Sequence, residues 1–377
     1  MKIAFIATYD FAIPGGVKNH VCDLASALRN QGNSVYVIAP SSNPAITSKI
    51  PNFIQIARFP SAAKTGSIPP HFLINPAVIP RLQKLLKSEA FDLVHIHEPL
   101  IPPLCLSTLL HKKTPLFATF HTYNENGQFA YKLFRPLFNS WLKRLAGRIA
   151  VSIPAKNYIE AYFPYDYRII PNGVCLEKFS NTSAVSPQLT PGYFNLLFVG
   201  HAQFKRKGLR YMLEAYRILK KEYPQLRLII AGTKWAGRSQ PIELDDTDLA
   251  DILYLGTVSD AELASLYRSV DVFCAPSIGD ESFGMVLTEA MASGAPIVTT
   301  NINGYASVVS DDKDALLVPP KDSHALAAAI KRLIDDPALR QRLVEQGQVT
   351  VQRYSWNIVA NDIMNYYKER LGNHAAH

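Results

Sequence analysis

Short apolar runs alternate along the chain with longer segments in which apolar residues recur every three or four positions. The runs are dense enough for strands that are buried on both faces, and the longer segments have the period of helices that cover a parallel sheet. In the first half the predicted strands are Lys2–Ala7, Ser34–Ala39, Leu93–His97, Leu116–Thr119, Arg148–Ser152 and Arg168–Ile170. The pattern therefore predicts a doubly wound α/β layer.

A stretch rich in Ser, Thr and Pro at 180–192 interrupts this pattern, and the alternation begins again after it. The second set of predicted elements comprises strands at Asn195–Val199, Arg227–Ala231, Ile252–Leu255, Val272–Ala275, Pro296–Thr300 and Leu316–Val318, and helices near Leu209–Glu222, Ala261–Arg268 and Gly284–Ser293. A chain of 377 residues with two such arrays predicts two Rossmann-like domains that face a cleft. We place them at 1–185 and 192–354, with a helix at about 355–377 that packs back on the first.

The chain has 39 Lys and Arg against 31 Asp and Glu, a net charge of +8 that favours anionic partners. Charge alone does not choose among nucleotides, nucleic acid and acidic lipids, but the sequence lacks the basic and aromatic modules of nucleic-acid-binding proteins. Four cysteines lie far apart with no CxxC pair, which predicts buried free thiols in a reducing compartment. They are Cys22, Cys105, Cys175 and Cys274.

The N-terminus lacks the apolar segment and cleavage site of a signal peptide, and no run of about 18 apolar residues could span a bilayer. We therefore expect a cytoplasmic protein that is at most peripheral to a membrane.

The first predicted strand leads into a turn that contains Gly15 and Gly16, just before a helix predicted to begin near Val17. Glycines let the backbone approach a ligand, and the N-terminus of a helix favours a phosphate or a sugar oxygen. The alternative is a tight turn alone, because the full GxGxxG spacing is missing.

Histidines follow two of the predicted strands. His95 and His97 lie on one face at period two, as metal ligands could, but no third ligand recurs at a recognisable spacing. We therefore favour a structural, hydrogen-bonded role for both. His121 directly follows the next strand, at the edge where α/β clefts open, and we favour a functional role for it over a core histidine.

Lys205, Arg206 and Lys207 lie at a strand-to-helix turn of the second array. Three cations at such a turn could neutralise a diphosphate leaving group, although a solvated loop would look the same.

Two carboxylates flank the start of the helix that begins beside Phe283 and Gly284. Glu281 lies just before the helix and Glu289 lies on it, so the two could contact sugar and ribose hydroxyls. The alternatives are the acid and base of a glycosidase, or a helix-terminal charge with a surface glutamate.

Taken together, these segments resemble glycosyltransferase family 4, the retaining enzymes of GT-B fold. The resemblance rests on PGGVKNHV at 14–21, HIHEP at 95–99, ATFHTY at 118–123, PNGV at 171–174, KRKG at 205–208 and ESFGMVLTEAMASG at 281–294. These segments occur in family order over nearly the whole chain, and the two glutamates have the family's E-x7-E spacing. Within the family the chain is most similar to phosphatidylinositol mannosyltransferases, which use GDP-mannose at the cytosolic membrane face.

The resemblance implies a role for each matching residue. Gly16 would contact the donor phosphate region, His121 would lie beside the reacting sugar, and Lys207 would bind the diphosphate. Glu281 would hold the hydroxyls of the transferred sugar, and Glu289 the ribose. The further donor-binding residues that it implies are Gly15, His201, Arg206, Ser282, Phe283 and Gly284, and the catalytic set is His121, Lys207 and Glu281.

The expected reaction is transfer of a hexose, mannose from GDP-mannose, with retention to a lipid-linked or polyol acceptor such as phosphatidylinositol. The sugar nucleotide would be a co-substrate, with no other cofactor and no metal. A UDP-sugar donor is the alternative. The family usually has Arg where this chain has His201, so either His201 is protonated, Lys205 or Arg206 substitutes, or turnover is weak. This departure keeps a non-catalytic nucleotide-sugar-binding protein open.

A basic segment at Val78–Lys87 precedes the HIHEP strand, as a basic amphipathic helix does in the related mannosyltransferases. As a helix it would carry an apolar stripe of Leu82, Leu85 and Leu86 and a basic side of Arg81, Lys84 and Lys87. We expect this helix to lie on an anionic membrane surface, and the alternative is that its leucines face the core. The family's inositol-binding loop is not recognisable in Ser67–Pro76.

Overall fold

The computed structural model describes residues 1–13, 15–58, 77–180, 186, 189, 192–200, 204–232 and 249–375. The chain forms two compact units, and the second, Val174–Ser355, is inserted between two parts of the first. The first unit comprises Met1–Gly173 and the residues from Trp356 onward. The predicted first domain extended to 185, whereas this unit ends at Gly173.

The first unit contains a parallel sheet of seven strands in the order β3-β2-β1-β4-β5-β6-β7. The strands are β1 (Lys2–Ala7), β2 (Ser34–Ala39), β3 (Phe53–Gln55), β4 (Leu93–His97), β5 (Leu116–Phe120), β6 (Gly147–Ala150) and β7 (Arg168–Ile169). Its central strands are buried at almost every residue, because helices cover both faces. The predicted parallel sheet is therefore confirmed.

The helices of this unit fill the connections between its strands. They are α1 (Gly16–Asn30), α2 (Val78–Ser88), α3 (Leu104–Thr108), α4 (Phe129–Leu133), α5 (Arg135–Leu142) and α6 (Ile153–Glu160), with a short 3-10 helix at Pro44–Ser48. The C-terminal helix, Trp356–Ala375, contacts α1 and β6. The backbone amide of Arg148 donates to the hydroxyl of Tyr366 at 3.1 Å. The C-terminal helix therefore belongs to the first unit.

The leucines of α2 face the interior of the first unit. Leu82 and Leu86 are buried and Leu85 is half-buried, whereas Arg81 and Lys84 are exposed, as is Lys87. An amphipathic pattern does not distinguish a protein core from a bilayer, and here the core covers the apolar side. The expectation that these leucines lie on a membrane is therefore wrong.

The second unit contains a six-stranded sheet in the order β10-β9-β8-β11-β12-β13, also parallel. Its strands are β8 (Phe194–Gly200), β9 (Leu226–Gly232), β10 (Ile252–Gly256), β11 (Val272–Ala275), β12 (Ile297–Thr300) and β13 (Leu316–Val318). The α-helices among the described residues of this unit are α7 (Leu176–Ser180), α8 (Leu209–Lys220), α9 (Asp260–Ser269), α10 (Met285–Ser293), α11 (Asn303–Ala306), α12 (Ser323–Asp335) and α13 (Pro337–Val351). The predicted second α/β array is confirmed.

The two ends of the second unit lie side by side. Val174 and Ser355 form a parallel bridge, and the amide of Val174 donates to the carbonyl of Tyr354 at 2.8 Å.

None of the four cysteines forms a disulfide, as predicted. Cys105 and Cys274 are buried, whereas Cys22 and Cys175 are partly exposed, so the prediction that all are buried is wrong for two of them. Within the described residues, no helix is both long enough and apolar enough to cross a membrane.

Candidate active site

The order of strands in the second sheet reverses between β8 and β11, which are neighbours. At such a switch point the loops that follow the two strands diverge and leave a crevice, where α/β proteins bind ligands. The turn with Lys205–Lys207 follows β8, and the loop with Glu281 follows β11. The fold therefore brings two of the predicted motifs to one place.

Gly208 holds the basic turn close to the end of β11. The turn is a 3-10 helix, Lys205–Lys207, and Gly208 ends it with φ +74°, in the left-handed region. A Cβ at Gly208 would lie 1.8 Å from the carbonyl oxygen of Pro276, so only glycine allows this approach. The amide of Ile278 also donates to the carbonyl of Arg206 at 2.8 Å.

Glu281 lies between two cations in what we call the donor cluster, Arg206, Lys207 and Glu281. Lys207 Nζ lies 2.6 Å from Glu281 Oε1, and Arg206 contacts the same oxygen. The side chains of Glu281 and Lys207 are 13% and 16% exposed, so the pair is shielded yet reachable. Because neither cation uses Oε2, the carboxylate can also accept from a ligand hydroxyl.

A second close approach fixes the backbone of Glu281. A Cβ at Gly304 would lie 2.0 Å from the carbonyl oxygen of Glu281, so α11 packs directly against this loop. Tyr305 on the same helix bonds to Ser277 through its hydroxyl at 2.8 Å. Burial raises the pKa of Tyr305 well above its usual range, and the nearby Glu281 adds to this rise. Tyr305 thus stays a neutral support of the loop.

The other predicted donor residues have different surroundings. Glu289 lies on α10 and accepts from the hydroxyl of Tyr267 at 3.2 Å. Ser282 is half-buried, whereas the ring of Phe283 is buried against Tyr354 with centroids 5.4 Å apart. Phe283 can therefore offer a ligand its backbone rather than its ring.

Gly284 precedes α10 with φ +101°, so it too needs glycine. His201 lies outside the described residues. The predicted inositol segment, Ser67–Pro76, lies outside them as well.

The first sheet reverses between β1 and β4, and the turn after β1 leads to α1, which begins at Gly16. Gly15 is exposed, has the extended φ of −178° and would have open space around a Cβ. Backbone conformation thus does not require glycine at Gly15. Any role of Gly15 and Gly16 would lie in giving a ligand access to the first amides of α1.

Three imidazoles from three elements meet in what we call the histidine cluster, His20, His97 and His121. His97 Nδ1 and His121 Nε2 are 3.2 Å apart, at hydrogen-bond distance. The rings of His20 and His121 pack edge to face with centroids 4.7 Å apart. One nitrogen from each residue lies within 4.8 Å of the others, the only such metal-capable group found among the described residues.

The cluster shows why sequence spacing missed a third ligand. His20 comes from α1 and His121 from the end of β5, far from His97 in sequence. Zn²⁺ takes imidazole nitrogens at about 2.0–2.1 Å, so nitrogens up to 4.8 Å apart would have to move closer to share one ion. The hydrogen bond between His97 and His121 also holds a proton in the space that an ion would need.

Burial keeps these histidines neutral. It lowers the pKa of His20 to about 3, against a weaker upward effect of the nearby side chain of Asn172. Burial also lowers the pKa of His97 and of His121 well below the usual value, and neighbouring imidazoles lower both further. His121 is therefore a neutral hydrogen-bonding group at physiological pH.

Glu98 positions His121, and the sequence did not reveal this role of Glu98. Its side chain is buried, and Oε1 accepts from the amide of His121 at 2.6 Å and from the hydroxyl of Thr122 at 2.8 Å. Burial raises the pKa of Glu98, while these bonds act in the opposite direction. A carboxylate directly after a buried strand is the signal that could have identified it.

His95 has the structural role that we predicted. Its Nε2 lies 2.7 Å from the hydroxyl oxygen of Thr119, and its Nδ1 bonds to the hydroxyl of Tyr367 on the C-terminal helix. The structural interpretation of His95 is therefore confirmed.

Two parallel sheets, each of which reverses its strand order beside a turn that leads into a helix, have the architecture of the GT-B fold. Residues 14–178 match the model of Glycosyltransferase Family 4, and residues 183–350 match that of Glycosyl transferases group 1. The chain is 36% identical over 374 residues to a phosphatidyl-myo-inositol mannosyltransferase of Mycobacterium leprae, which covers 98% of this chain and 96% of the relative.

Solved structures agree on the fold. A sucrose-phosphate synthase of Thermosynechococcus elongatus has a TM-score of 0.78 at 23% identity, with 99% of each chain covered. Anabaena HepE in complex with UDP has a TM-score of 0.78 at 18% identity, covering 98% of this chain and 100% of its own. The chain belongs to glycosyltransferase family 4 and is a hexosyltransferase.

Proposed function

We propose that the enzyme transfers mannose from GDP-mannose, with retention, to a lipid-linked or polyol acceptor such as phosphatidylinositol at the cytosolic face of a membrane. The observation that carries this proposal is the donor cluster at the β8–β11 switch point, in a chain that is 36% identical to a phosphatidyl-myo-inositol mannosyltransferase. Cations that are held beside a shielded carboxylate suit a ligand with a diphosphate next to sugar hydroxyls.

Catalysis would come from positioning and from charge. The bond between the sugar C1 and the diphosphate oxygen breaks, and a bond from C1 to the acceptor oxygen forms on the same face. The proton of the acceptor hydroxyl passes to the departing diphosphate oxygen. Lys207 and Arg206 would stabilise the departing GDP, together with the first amides of α10. Glu281 would hold the hydroxyls of the sugar so that C1 faces the acceptor. No step requires a metal ion, and we propose none.

His121 would act on the transferred sugar as a neutral hydrogen-bonding partner. We expect His121→Ala to lower transfer about 100-fold while GDP binds with nearly unchanged affinity, because the residue contacts the sugar and not the nucleotide. The measurement compares kcat with the Kd of GDP. His111→Ala is the control, because His111 is a buried histidine of the same unit that bonds to Thr114. An equal loss of transfer and nucleotide binding would indicate misfolding and contradict the assignment.

The decisive experiment supplies the purified enzyme with GDP-mannose, UDP-glucose or UDP-galactose and with vesicles that contain phosphatidylinositol. We expect a mannosylated lipid only when GDP-mannose is the donor, and mass spectrometry would identify it. NMR should show that the product keeps the α-linkage of the donor. Product from a UDP-sugar would support the alternative donor. That alternative is kept open by the likeness in fold to HepE, whose structure contains UDP.

A further inference from the structure

His121 has one ring nitrogen left for a ligand. Its Nε2 lies 3.2 Å from His97 Nδ1, a distance at which one imidazole donates a proton to the other. Burial and the neighbouring imidazoles hold the pKa of both residues well below the usual value, so each ring is neutral and carries a single N–H. What His121 can do to a ligand therefore depends on whether its Nδ1 is an N–H or a lone pair.

The ring of His121 is held in one orientation. The backbone amide of His121 donates to the buried Glu98 at 2.6 Å, and the edge-to-face contact with His20, at 4.7 Å between centroids, packs the ring from another side. Only 7% of the residue is exposed. Because the surroundings are densely packed, Nε2 stays on His97 and the two ring nitrogens do not exchange places.

Two arrangements of protons are compatible with the bond between His97 and His121. In the first, His97 Nδ1–H donates to His121 Nε2, and His97 Nε2 is a lone pair. In the second, His121 Nε2–H donates to His97 Nδ1, and His97 must then carry its own proton on Nε2, because a neutral imidazole has one N–H. The surroundings of His97 Nε2 therefore decide between the two arrangements.

His97 Nε2 is buried, and none of the described residues forms a hydrogen bond with it. The rings around His97 are those of Phe5, His95 and His20, with centroids 5.2, 4.6 and 5.4 Å away. Phe5 has no lone pair to offer, and both nitrogens of His95 are bonded to hydroxyl groups of other residues. Neither nitrogen of His20 bonds to His97. An N–H at His97 Nε2 would thus be buried without an acceptor, which is rarer in proteins than an unpaired acceptor.

We propose that His97 is a positioning residue that fixes the proton of His121 on Nδ1, so that His121 donates a hydrogen bond to an oxygen of the transferred sugar. The hydrogen bond that one imidazole nitrogen makes sets the protonation of the other. With Nδ1 protonated and the lone pair of Nε2 used by His97, His121 can neither attack the sugar C1 nor take the proton of the acceptor. The inference deepens the proposed function, and it rests on that function for the sugar.

The position of the proton can be measured in the full-length enzyme without any ligand. With isotopically labelled histidine, proton–nitrogen correlation spectra distinguish a protonated ring nitrogen from a bare one, and the signals that disappear in His121→Ala belong to His121. We expect His121 to be protonated on Nδ1. A proton on Nε2 of His121 would overturn the proposal. This result does not depend on which donor the enzyme uses, so it separates the inference from the proposed function.

Two variants of His97 separate proton placement from packing. His97→Leu cannot donate to His121, so we expect kcat to fall about tenfold while the Kd of GDP stays the same. An Asn amide can donate from the position of Nδ1, so His97→Asn should recover most of the lost turnover and keep the Nδ1 proton of His121. Phe5→Leu is the control, because it loosens the packing of His97 without removing a donor. It should lower the Tm and leave kcat unchanged. Equal turnover in the two His97 variants at equal Tm would overturn the proposal.

Donation to the sugar has its own readout. Analogues of GDP-mannose carry fluorine or hydrogen in place of one sugar hydroxyl, and fluorine accepts a hydrogen bond, whereas hydrogen does not. At the hydroxyl that His121 contacts, we expect the fluorinated analogue to bind about threefold more tightly than the deoxy analogue, and His121→Ala to remove this difference. Equal binding of the two analogues at every position would overturn donation by His121. If GDP-mannose itself did not bind, the proposed function would be contradicted instead, and the position of the proton would still test the role of His97.

Discussion

Replacing Lys207 with Ala is expected to lower kcat/KM for the sugar nucleotide about 100- to 1000-fold, or about 2.7–4 kcal/mol of transition-state stabilisation. The ammonium of Lys207 is held 2.6 Å from Glu281 at the switch point. In the proposed function it is therefore preorganised where negative charge would develop on the departing diphosphate. Arg206 is more exposed, at 38%, and would replace only part of this charge. GDP should also bind more weakly to this variant.

Replacing Glu281 with Gln should lower turnover by a similar factor but tighten the binding of GDP. The substitution leaves Arg206 and Lys207 without the carboxylate that neutralises them, so the diphosphate meets more positive charge. In the proposed function, turnover would fall because the hydroxyls of the sugar lose the carboxylate that accepts their hydrogen bonds. Opposite shifts in the Kd of GDP, with a common loss of kcat, would separate the roles of Lys207 and Glu281.

Lys220→Ala provides the matched control for both variants. Lys220 forms an ion pair of 2.7 Å with Asp251 in the same unit, and both side chains are largely shielded. Its removal should lower the Tm, since it also bonds to two carbonyl groups, without lowering turnover. Wild-type kinetics in Lys207→Ala and Glu281→Gln would contradict the site assignment.

The first unit is expected to lose stability steeply as the pH falls below about 6.5. Burial lowers the pKa of His20 and of His95 to about 3, and it lowers the pKa of His97 and His121 well below the usual value. The unfolded chain therefore takes up protons first, so the stability that these groups contribute is complete above pH 6.5. It is then lost progressively down to the folded pKa values.

Each histidine contributes a slope of about 1.4 kcal/mol per pH unit, so four contribute roughly 5 kcal/mol per pH unit at most. A domain has about 5–15 kcal/mol of stability, so a fall of one to two pH units can unfold the unit. Glu98 acts in the opposite sense, because burial raises its pKa and favours its protonated form in the folded state. One such group does not offset four histidines.

Urea titrations at pH 7.5, 6.5 and 5.5 would measure this slope. His20→Phe should reduce the slope of unfolding free energy against pH by about 1.4 kcal/mol per pH unit, because it removes one titrating group. An aromatic ring still packs against Trp356 in this variant. Phe5→Leu is the control, because Phe5 packs against the rings of His95 and His97 but does not titrate. It should lower stability equally at every pH. An unchanged slope in His20→Phe would mean that His20 is not neutral in the folded state.

The strand pattern of the fold could be predicted because buried parallel strands are nearly continuous apolar runs. β1, β2, β4 and β11 occupy the predicted residues without change. β3 was missed because Phe53–Gln55 is a half-buried edge strand of three residues, too short to form a run. The helices α4 and α5 were missed because apolar residues lie on both of their sides, which hides the helical period.

The sequence could predict which residues of the candidate site lie at the ends of strands. Lys207 and Glu281 follow neighbouring strands, which alternation and chain order could indicate, but their contact depends on the approach of Gly208 to Pro276. The histidine cluster depends on three elements brought together by tertiary packing, which no local spacing encodes. The leucines of α2 show the same limit, because one amphipathic pattern fits two apolar environments.

The bridge between Val174 and Ser355 makes the second unit an insert whose two ends meet. Inserts of this kind can be excised or given new termini, because their ends need no long connection. During synthesis the whole second unit is made before the C-terminal helix, which belongs to the first unit. All of residues 174–355 are therefore available for folding before His95 can meet its partner Tyr367 on the C-terminal helix.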